Sequence, residues 1–266
     1  ILEDELVEFE NVQVWLNSTA LAVFSDRKVG VLHDGHYAVV HPHVLLVSTG
    51  AREKSLVFKG NTLPGVYGAG AFQTLLNRDL VRASNRLFIV GGGNSAGQAA
   101  LHLARFARSV TILIRRPSLT ETMSQYLISE ITNSPAIRVE GSTRVVDAGG
   151  EIRLESITTE DLDSGRQQTR PATGLFLLLG ATPHADWLPG QVAVDDHGFV
   201  LTGRDVAVDQ WDDAVPPPNL ATTVPGVFAV GDVRSGSMKR VAAAVGEGSS
   251  VVPLVHSCLA VWRPPS

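Results

Sequence analysis

Seven small residues, Gly91-Gly92-Gly93-Asn94-Ser95-Ala96-Gly97, stand directly behind the apolar segment Leu87-Phe88-Ile89-Val90. A strand that ends in a glycine turn and opens a helix is the arrangement that holds the pyrophosphate of a dinucleotide. In that arrangement Gly91 allows the tight turn, Gly93 lets the backbone approach the diphosphate, and Ala96 keeps the helix close to the sheet. The free N–H groups at the helix start, around Gly92, Asn94 and Ser95, would face the anion. A purely structural turn between strand and helix is the competing reading, and the order strand, turn, helix argues against it.

The second chemical signal is Arg115-Arg116, at the end of the next apolar run, Ser109 to Ile114. An acid at this place would bond the adenine ribose of NAD and repel a 2′-phosphate. Two guanidinium groups can instead pair with that phosphate, which points to NADP (NADPH). The competing reading is a pair of solvated surface arginines.

Other reactive side chains are less ordered in pattern. His33, His36, His41 and His43 fall within eleven residues, but with no cysteine nearby they read as an exposed meander, and no metal site is expected. His184 near the expected domain junction reads as a surface histidine, and Glu247 as an acid near a cofactor or a solvated helix residue. Cys258 is the only cysteine, so neither an internal disulfide nor a Cys-x-x-Cys redox pair can form, and it is expected to be a buried thiol. Ser95, Ser249 and Ser250 lack a recognisable histidine and acid partner, which leaves a hydrolase triad unsupported.

The composition, 44% hydrophobic and 18% charged over 266 residues, is that of a core-forming globular chain of one large or two modest domains. A formal net charge of −5 without any Lys/Arg-rich tract makes nucleic acid an unexpected partner. Apolar runs such as Leu175 to Leu179 read as too short to span a bilayer, so no membrane is expected. Ile1-Leu2-Glu3-Asp4-Glu5 is acidic where a secretory signal would be basic, and the expectation is cytoplasmic. The missing initiator Met suggests that residue 1 is not the natural start.

These residues need elements to carry them. Periodicity predicts the tail of a helix to about Glu10, a half-buried strand at Val12–Leu16, and an antiparallel meander from Ala20 to Val40. Val44–Val47 reads as a strand buried on both faces, ending in Ser48-Thr49-Gly50-Ala51. After a short helix at Ala71–Asn77, a βαβ unit is expected: strand Arg86–Val90, helix Asn94–Arg108, strand Ser109–Ile114. Ser118 reads as the cap of a helix to about Thr132. Strands are expected at Ile137–Glu140, Arg144–Ala148, Arg153–Thr159 and Leu175–Leu179, with a polar hairpin tip at Asp161–Gln168. Gly226 to Asp232 reads as a strand ending in Gly-Asp, and a last helix spans about Lys239–Leu259.

Four segments in order resemble the thioredoxin reductase-like members of the FAD-dependent pyridine nucleotide-disulphide oxidoreductases. They are Ser48-Thr49-Gly50-Ala51, the Gly91 turn, Leu179-Gly180-Ala181-Thr182-Pro183, and Thr223-Val224-Pro225-Gly226-Val227-Phe228-Ala229-Val230-Gly231-Asp232. The resemblance implies an α/β class: a Rossmann-like three-layer FAD/NAD(P)-binding fold with an inserted nucleotide-binding domain at 56–184 and a partial flavin domain split between 1–55 and 185–266. It implies that Asp232 bonds the ribityl chain of FAD, with Gly231, Thr49, Gly50, Gly180 and Ala181 at the cofactors. It also implies that Arg240, Val241 and Ala242, at the start of the last helix, contact the flavin.

Three departures accompany it. The family's N-terminal glycine motif, which holds the ADP half of FAD, is absent upstream of Ser48. The nicotinamide domain lacks Cys-x-x-Cys, so a dithiol relay cannot operate. The stretch Leu63-Pro64-Gly65-Val66-Tyr67-Gly68-Ala69-Gly70-Ala71-Phe72-Gln73-Thr74-Leu75-Leu76 is more similar to flavoproteins that oxidise small amino compounds. The expected function is an NADPH-dependent flavoprotein oxidoreductase, or a large fragment of one, passing electrons to a small-molecule or protein acceptor. The hydride step itself requires no side-chain acid or base, so no catalytic residue is named. A non-catalytic NADP-binding module is the alternative, and a homodimer is an open option.

Overall fold

The computed structural model describes residues 9–24, 26–74, 85–212 and 214–261. In chain order the first strands are β1 (Ser18–Val23), β2 (Val29–His33), β3 (His36–Val40), β4 (Leu45–Val47) and β5 (Ala51–Glu53). Then come β6 (Val66–Gly68), helix α1 (Ala69–Gln73), β7 (Arg86–Val90), α2 (Asn94–Leu103), β8 (Ser109–Leu113), α3 (Gln125–Asn133) and β9 (Ile137–Glu140). Strands β10 (Thr143–Gly149), β11 (Ser156–Asp161), β12 (Gln167–Pro171), β13 (Gly174–Leu177), β14 (Ala181–Pro183) and β15 (Val227–Ala229) lead to α4 (Val241–Val261). The chain divides into two compact units, residues 53–181 and residues 1–52 with 182–266.

The 53–181 unit is built on a five-stranded sheet in the order β6-β13-β7-β8-β9, parallel throughout. Its central strands β13 and β7 are apolar on both faces because both faces are covered. Leu87 and Ile89 of β7 pack with Ala96, Ala100 and Leu103 of α2 and with Leu127 and Ile131 of α3. Phe88 and Val90, pointing the other way, pack with Val145, Ala148 and Ile157 from the antiparallel sheet β10-β11-β12. Helices, parallel sheet and antiparallel sheet therefore form three layers, and β7 is the central strand that delivers the glycine turn.

In the other unit β1, β2 and β3 form an antiparallel meander, and β4 runs parallel to β15. Alternation again splits the core. Val227 and Ala229 pack with Val47, Val200 and Val233, whereas Phe228 and Val230 pack with Val251, Leu254 and Cys258 of α4.

Several expectations are corrected. Val12 to Leu16 forms no strand, and Trp15 and Leu16 are exposed, since apolar alternation gives a strand only where a partner edge is offered. Leu46 of β4 is 42% exposed, so that strand is not covered on both faces. The helix after β8 begins at Gln125 with Ser124 as its N-cap, not at Ser118. Ser118, Thr120, Thr122 and Ser124 bond elsewhere with their hydroxyls and keep the segment irregular. Strand β11 starts at Ser156 rather than Arg153, and β12 lies partly in what reads as a hairpin tip. The N-terminal helix tail falls mainly outside the described residues, as does the end of the helix expected at 71–77.

The expectation of short apolar runs is also corrected, because α4, at 21 residues, is long and apolar enough to cross a membrane by length and composition. Its Val251, Leu254, Val255 and Cys258 nevertheless pack on the Phe228 cluster, and its Glu247 is ion-paired. Most of the helix surface is exposed, Val251 being its one buried residue. Cys258 itself is half-buried rather than fully enclosed.

Candidate functional site

The turn after β7 is shaped by what its glycines exclude. Gly91 has φ 151°, its N–H donates to the Leu113 carbonyl at 3.2 Å, and a Cβ there would run into the Leu178 carbonyl oxygen. A Cβ on Gly97 would meet Met123 Sδ at 2.8 Å, and Ala96 is fully buried, so α2 lies close against its neighbours. A Cβ on Gly93, by contrast, would meet nothing within 4 Å. Gly93 is also the N-cap of α2 and has no side chain to cap it, so the first N–H groups of the helix lack intrahelical acceptors. Among the described residues the N–H groups of Gly92 and Gly93 have no backbone acceptor either. Donors without acceptors, facing open space at the positive end of a helix dipole, suit an anion.

A cavity of about 430 Å³ lies over this turn, lined by residues 90–95, 113–116, 178–180, Ser118 and Thr122. It brings Gly91, Gly92, Gly93, Asn94 and Ser95 together with Arg115, Arg116 and Gly180. The three strand ends involved, of β7, β8 and β13, are neighbours in one parallel sheet. Ligands of such sheets bind outside the carboxyl ends of the strands. Ala96 and Ala181 do not line the cavity. Arg116 Nη1 lies 3.4 Å from Glu121 Oε2 with both side chains more than half exposed, and Arg115 has no carboxylate partner among the described residues. An exposed pair of this kind is worth about 0–1 kcal/mol, so Arg116 can turn to another anion at little cost.

The remaining site residues lie in the other unit. Thr49 and Gly50 follow β4, and Gly231 and Asp232 follow the adjacent parallel strand β15; the Val230 N–H donates to the Val47 carbonyl at 3.0 Å. The Thr49 hydroxyl donates to the His184 carbonyl at 2.6 Å, and the His184 N–H donates to the Gly50 carbonyl at 3.0 Å. His184 therefore acts through its backbone on this strand end.

Asp232 sits in a 3₁₀ turn, Gly231–Val233, and its carboxylate makes no hydrogen bond among the described residues. Lys239 Nζ reaches the Asp232 carbonyl at 3.5 Å and lies 3.9 Å from the centre of the Phe199 ring. Burial pushes the Lys239 ammonium below its usual pKa, and the nearby Asp232 charge opposes the shift. Arg240, Val241 and Ala242 follow at the exposed start of α4.

Sequence reasoning missed the strongest polar contact of this unit. Glu247 of α4 accepts hydrogen bonds from the Gly231 N–H at 2.7 Å and from Arg234 at 2.5 and 3.2 Å. Burial disfavours its charge, but the Arg234 and Gly231 donors outweigh burial and hold its pKa below the usual range. Glu247 is thus a structural anion, neither a solvated residue nor a free acid. Arg234 carried no local signal, because its partner lies thirteen residues away.

The histidine group is dispersed: His33 bonds the Ser18 hydroxyl at 2.7 Å and stacks on Trp15, while the His43 carbonyl accepts from Arg27. No cluster of three metal-ligating side chains occurs among the described residues.

The donor set fits a pyridine dinucleotide well, with the backbone donors of the turn and two guanidinium groups lining one cavity. For a flavin the fit is partial. Two adjacent strand ends and a carboxylate that makes no hydrogen bond among the described residues suit the ribityl side, but no second strand–glycine–helix turn occurs among the described residues to hold an adenosine diphosphate.

Residues 4–248 match the family described as pyridine nucleotide-disulphide oxidoreductase. A thioredoxin reductase of Dictyostelium discoideum is 28% identical over 77% of this chain and 59% of its own length. One from Streptomyces clavuligerus is 33% identical over 62% of this chain and 46% of its own length. The chain thus spans about half the length of these curated relatives. The crystal structure of Lactococcus lactis thioredoxin reductase superimposes with a TM-score of 0.67 at 22% identity, covering 92% of this chain and 74% of that one. At that identity the likeness shows the Rossmann-like α/β fold.

Proposed function

Because the chain belongs to the pyridine nucleotide-disulphide oxidoreductase family, we propose that it is an NADPH-dependent flavoprotein oxidoreductase, or a large part of one, that passes electrons to a small-molecule or protein acceptor. The observation that carries this reading is the single cavity joining the Gly91–Ser95 turn to Arg115 and Arg116. In it the backbone donors of the turn bind the diphosphate, and the two arginines hold the 2′-phosphate and so select the phosphorylated coenzyme.

FAD, when bound, supplies hydride acceptance and onward electron transfer. Asp232, in the turn that follows β15, would offer its carboxylate to the ribityl hydroxyls, and Gly50 and Gly231 would keep the adjoining strand ends free of side chains. The start of α4, at Arg240, Val241 and Ala242, places a helix N-terminus where negative charge is favoured. With Cys258 as the only cysteine, the chain has no dithiol of its own to relay electrons.

A second reading, a nucleotide-binding module without turnover, is favoured by one observation: the described residues hold only one glycine turn of the dinucleotide type. Absorbance separates the two. Purified protein with a flavin band that bleaches under NADPH supports the enzyme, whereas colourless protein that binds NADPH supports the module. Absence of calorimetric heat with either nicotinamide coenzyme, on folded material, would remove both.

A further inference from the structure

The segment between β8 and α3 is fastened to the glycine turn by Thr122 and Ser124, which no sequence motif marked. Thr122 Oγ1 donates to the Gly92 carbonyl at 2.8 Å. Two residues on, the N–H and hydroxyl of Ser124 both donate to Asn94 Oδ1, at 2.8 and 3.1 Å. Between them, Met123 lies against Gly97. Ser124 is the N-cap of α3, yet its hydroxyl makes no cap bond to its own helix. A serine cap normally stabilises its helix by about 1 kcal/mol, and here that option is given up for Asn94.

The Thr122 bond has a directional consequence. A trans peptide places the Gly92 C=O and the Gly93 N–H on opposite sides. Anchoring the carbonyl to Thr122 therefore turns the Gly93 N–H the other way. That N–H has no backbone acceptor among the described residues, and the space beside Gly93 is open.

We propose that Thr122, backed by the Asn94–Ser124 contact, is a positioning residue for the diphosphate: it sets the Gly92–Gly93 peptide so that its N–H faces the anion. Thr122 need not touch the coenzyme. The inference rests on the dinucleotide reading of this cavity. It adds that the affinity of the turn is set by a side chain thirty residues downstream.

The test is calorimetric titration of the full chain with NADPH and NADH, alongside thermal melting. Thr122→Val keeps the shape and removes the donor; it should weaken both coenzymes by a common factor of about five, the worth of one hydrogen bond. Thr122→Ser, which keeps the hydroxyl, should bind within about twofold of the parent. A residue that merely stabilises the fold would lower the melting temperature of Thr122→Val and leave both affinities unchanged. That result overturns the proposal while the cavity reading stands. Should Thr122→Val fail to fold, Thr122→Ala carries the same two expectations. If the unaltered chain binds neither coenzyme, the cavity reading fails, and this inference with it.

Discussion

Glu247, in the second turn of α4, and Arg234, two residues beyond Asp232, form a two-point ion pair in which Glu247 also holds the Gly231 N–H. The two side chains are only 15% and 16% exposed. One carboxylate therefore fastens both sides of the turn that presents Asp232. Breaking a mostly buried pair by neutralising one partner leaves the other charge uncompensated, which costs about 3 kcal/mol. Arg234 lies 4.0 Å from Asp205, which offsets part of that loss. Glu247→Gln should destabilise the 1–52 and 182–266 unit by about 2 kcal/mol. Trp15, Trp187 and Trp211 belong to that unit and no tryptophan lies between residues 53 and 181, so tryptophan fluorescence in a urea titration does not read the other unit. An unchanged midpoint would show that the pair contributes nothing.

The same unit should lose stability in acid. Glu247 is held ionised as described, and Asp195 behaves alike: burial disfavours its charge, but donors on Ser235, Phe199 and His197 outweigh burial. Both folded pKa values lie below the unfolded ones, so the folded state binds fewer protons in that window. Their stabilisation is complete above the ordinary carboxylate range and is lost as pH falls through the lowered values. Lys239 also has a lowered pKa, but here burial of the ammonium is a penalty, complete below the lowered value and relieved as pH rises from there to the ordinary lysine value, outside the acid window. Fluorescence-monitored melting from pH 7 to pH 3 should show a fall that Glu247→Gln makes shallower.

Two neighbouring glycines should respond differently to alanine. At Gly91 the φ of 151° and the Leu178 carbonyl both oppose a Cβ, so Gly91→Ala should cost about 3 kcal/mol of stability. Gly93 has φ −89° and open space beside it, so Gly93→Ala should cost no more than about 1 kcal/mol of stability, the difference between glycine and alanine at an N-cap. Yet a methyl group there occupies the approach of the diphosphate, and both coenzymes should bind at least tenfold more weakly by titration, roughly 1.4 kcal/mol. If Gly93→Ala binds as the parent does, no ligand approaches the turn at that point.

What the sequence disclosed follows from local order. Strands β7 and β13 were legible because the middle of a parallel sheet covered on both faces leaves continuous apolar runs, and the glycine turn was legible because Gly91 sits where a side chain is excluded. The start of α3 was not legible. Its preceding hydroxyls take partners on Gly92 and Asn94, some thirty residues away, where no helical pattern can register them. Strand β12 was hidden because Gln167, Gln168 and Thr169 lie exposed, and pairing with β11, not burial, makes them a strand. The Glu247–Arg234 pair was hidden for the same reason: contact across the fold leaves no spacing rule.

Coenzyme choice is the sharpest test of the arginines. Arg115 and Arg116 line the cavity, and among the described residues only Arg116 has a carboxylate in ion-pair distance, Glu121 at 3.4 Å. Charge-assisted bonds to a phosphate contribute about 1.5–3 kcal/mol, so Arg115→Ala with Arg116→Ala should weaken NADPH by roughly a hundredfold. NADH, which lacks the 2′-phosphate, should change by less than about threefold. Glu121→Gln acts in the other direction: it frees Arg116 and removes a carboxylate that repels the phosphate, and NADPH should bind about two- to threefold more tightly at low salt. Raising the ionic strength should erase that gain, because the carboxylate is exposed and its field is screened within about 8 Å at 0.15 M salt. Equal losses of NADH and NADPH in the double arginine variant would mean that the pair acts on the diphosphate or the fold, and the preference for the phosphorylated coenzyme would need another source.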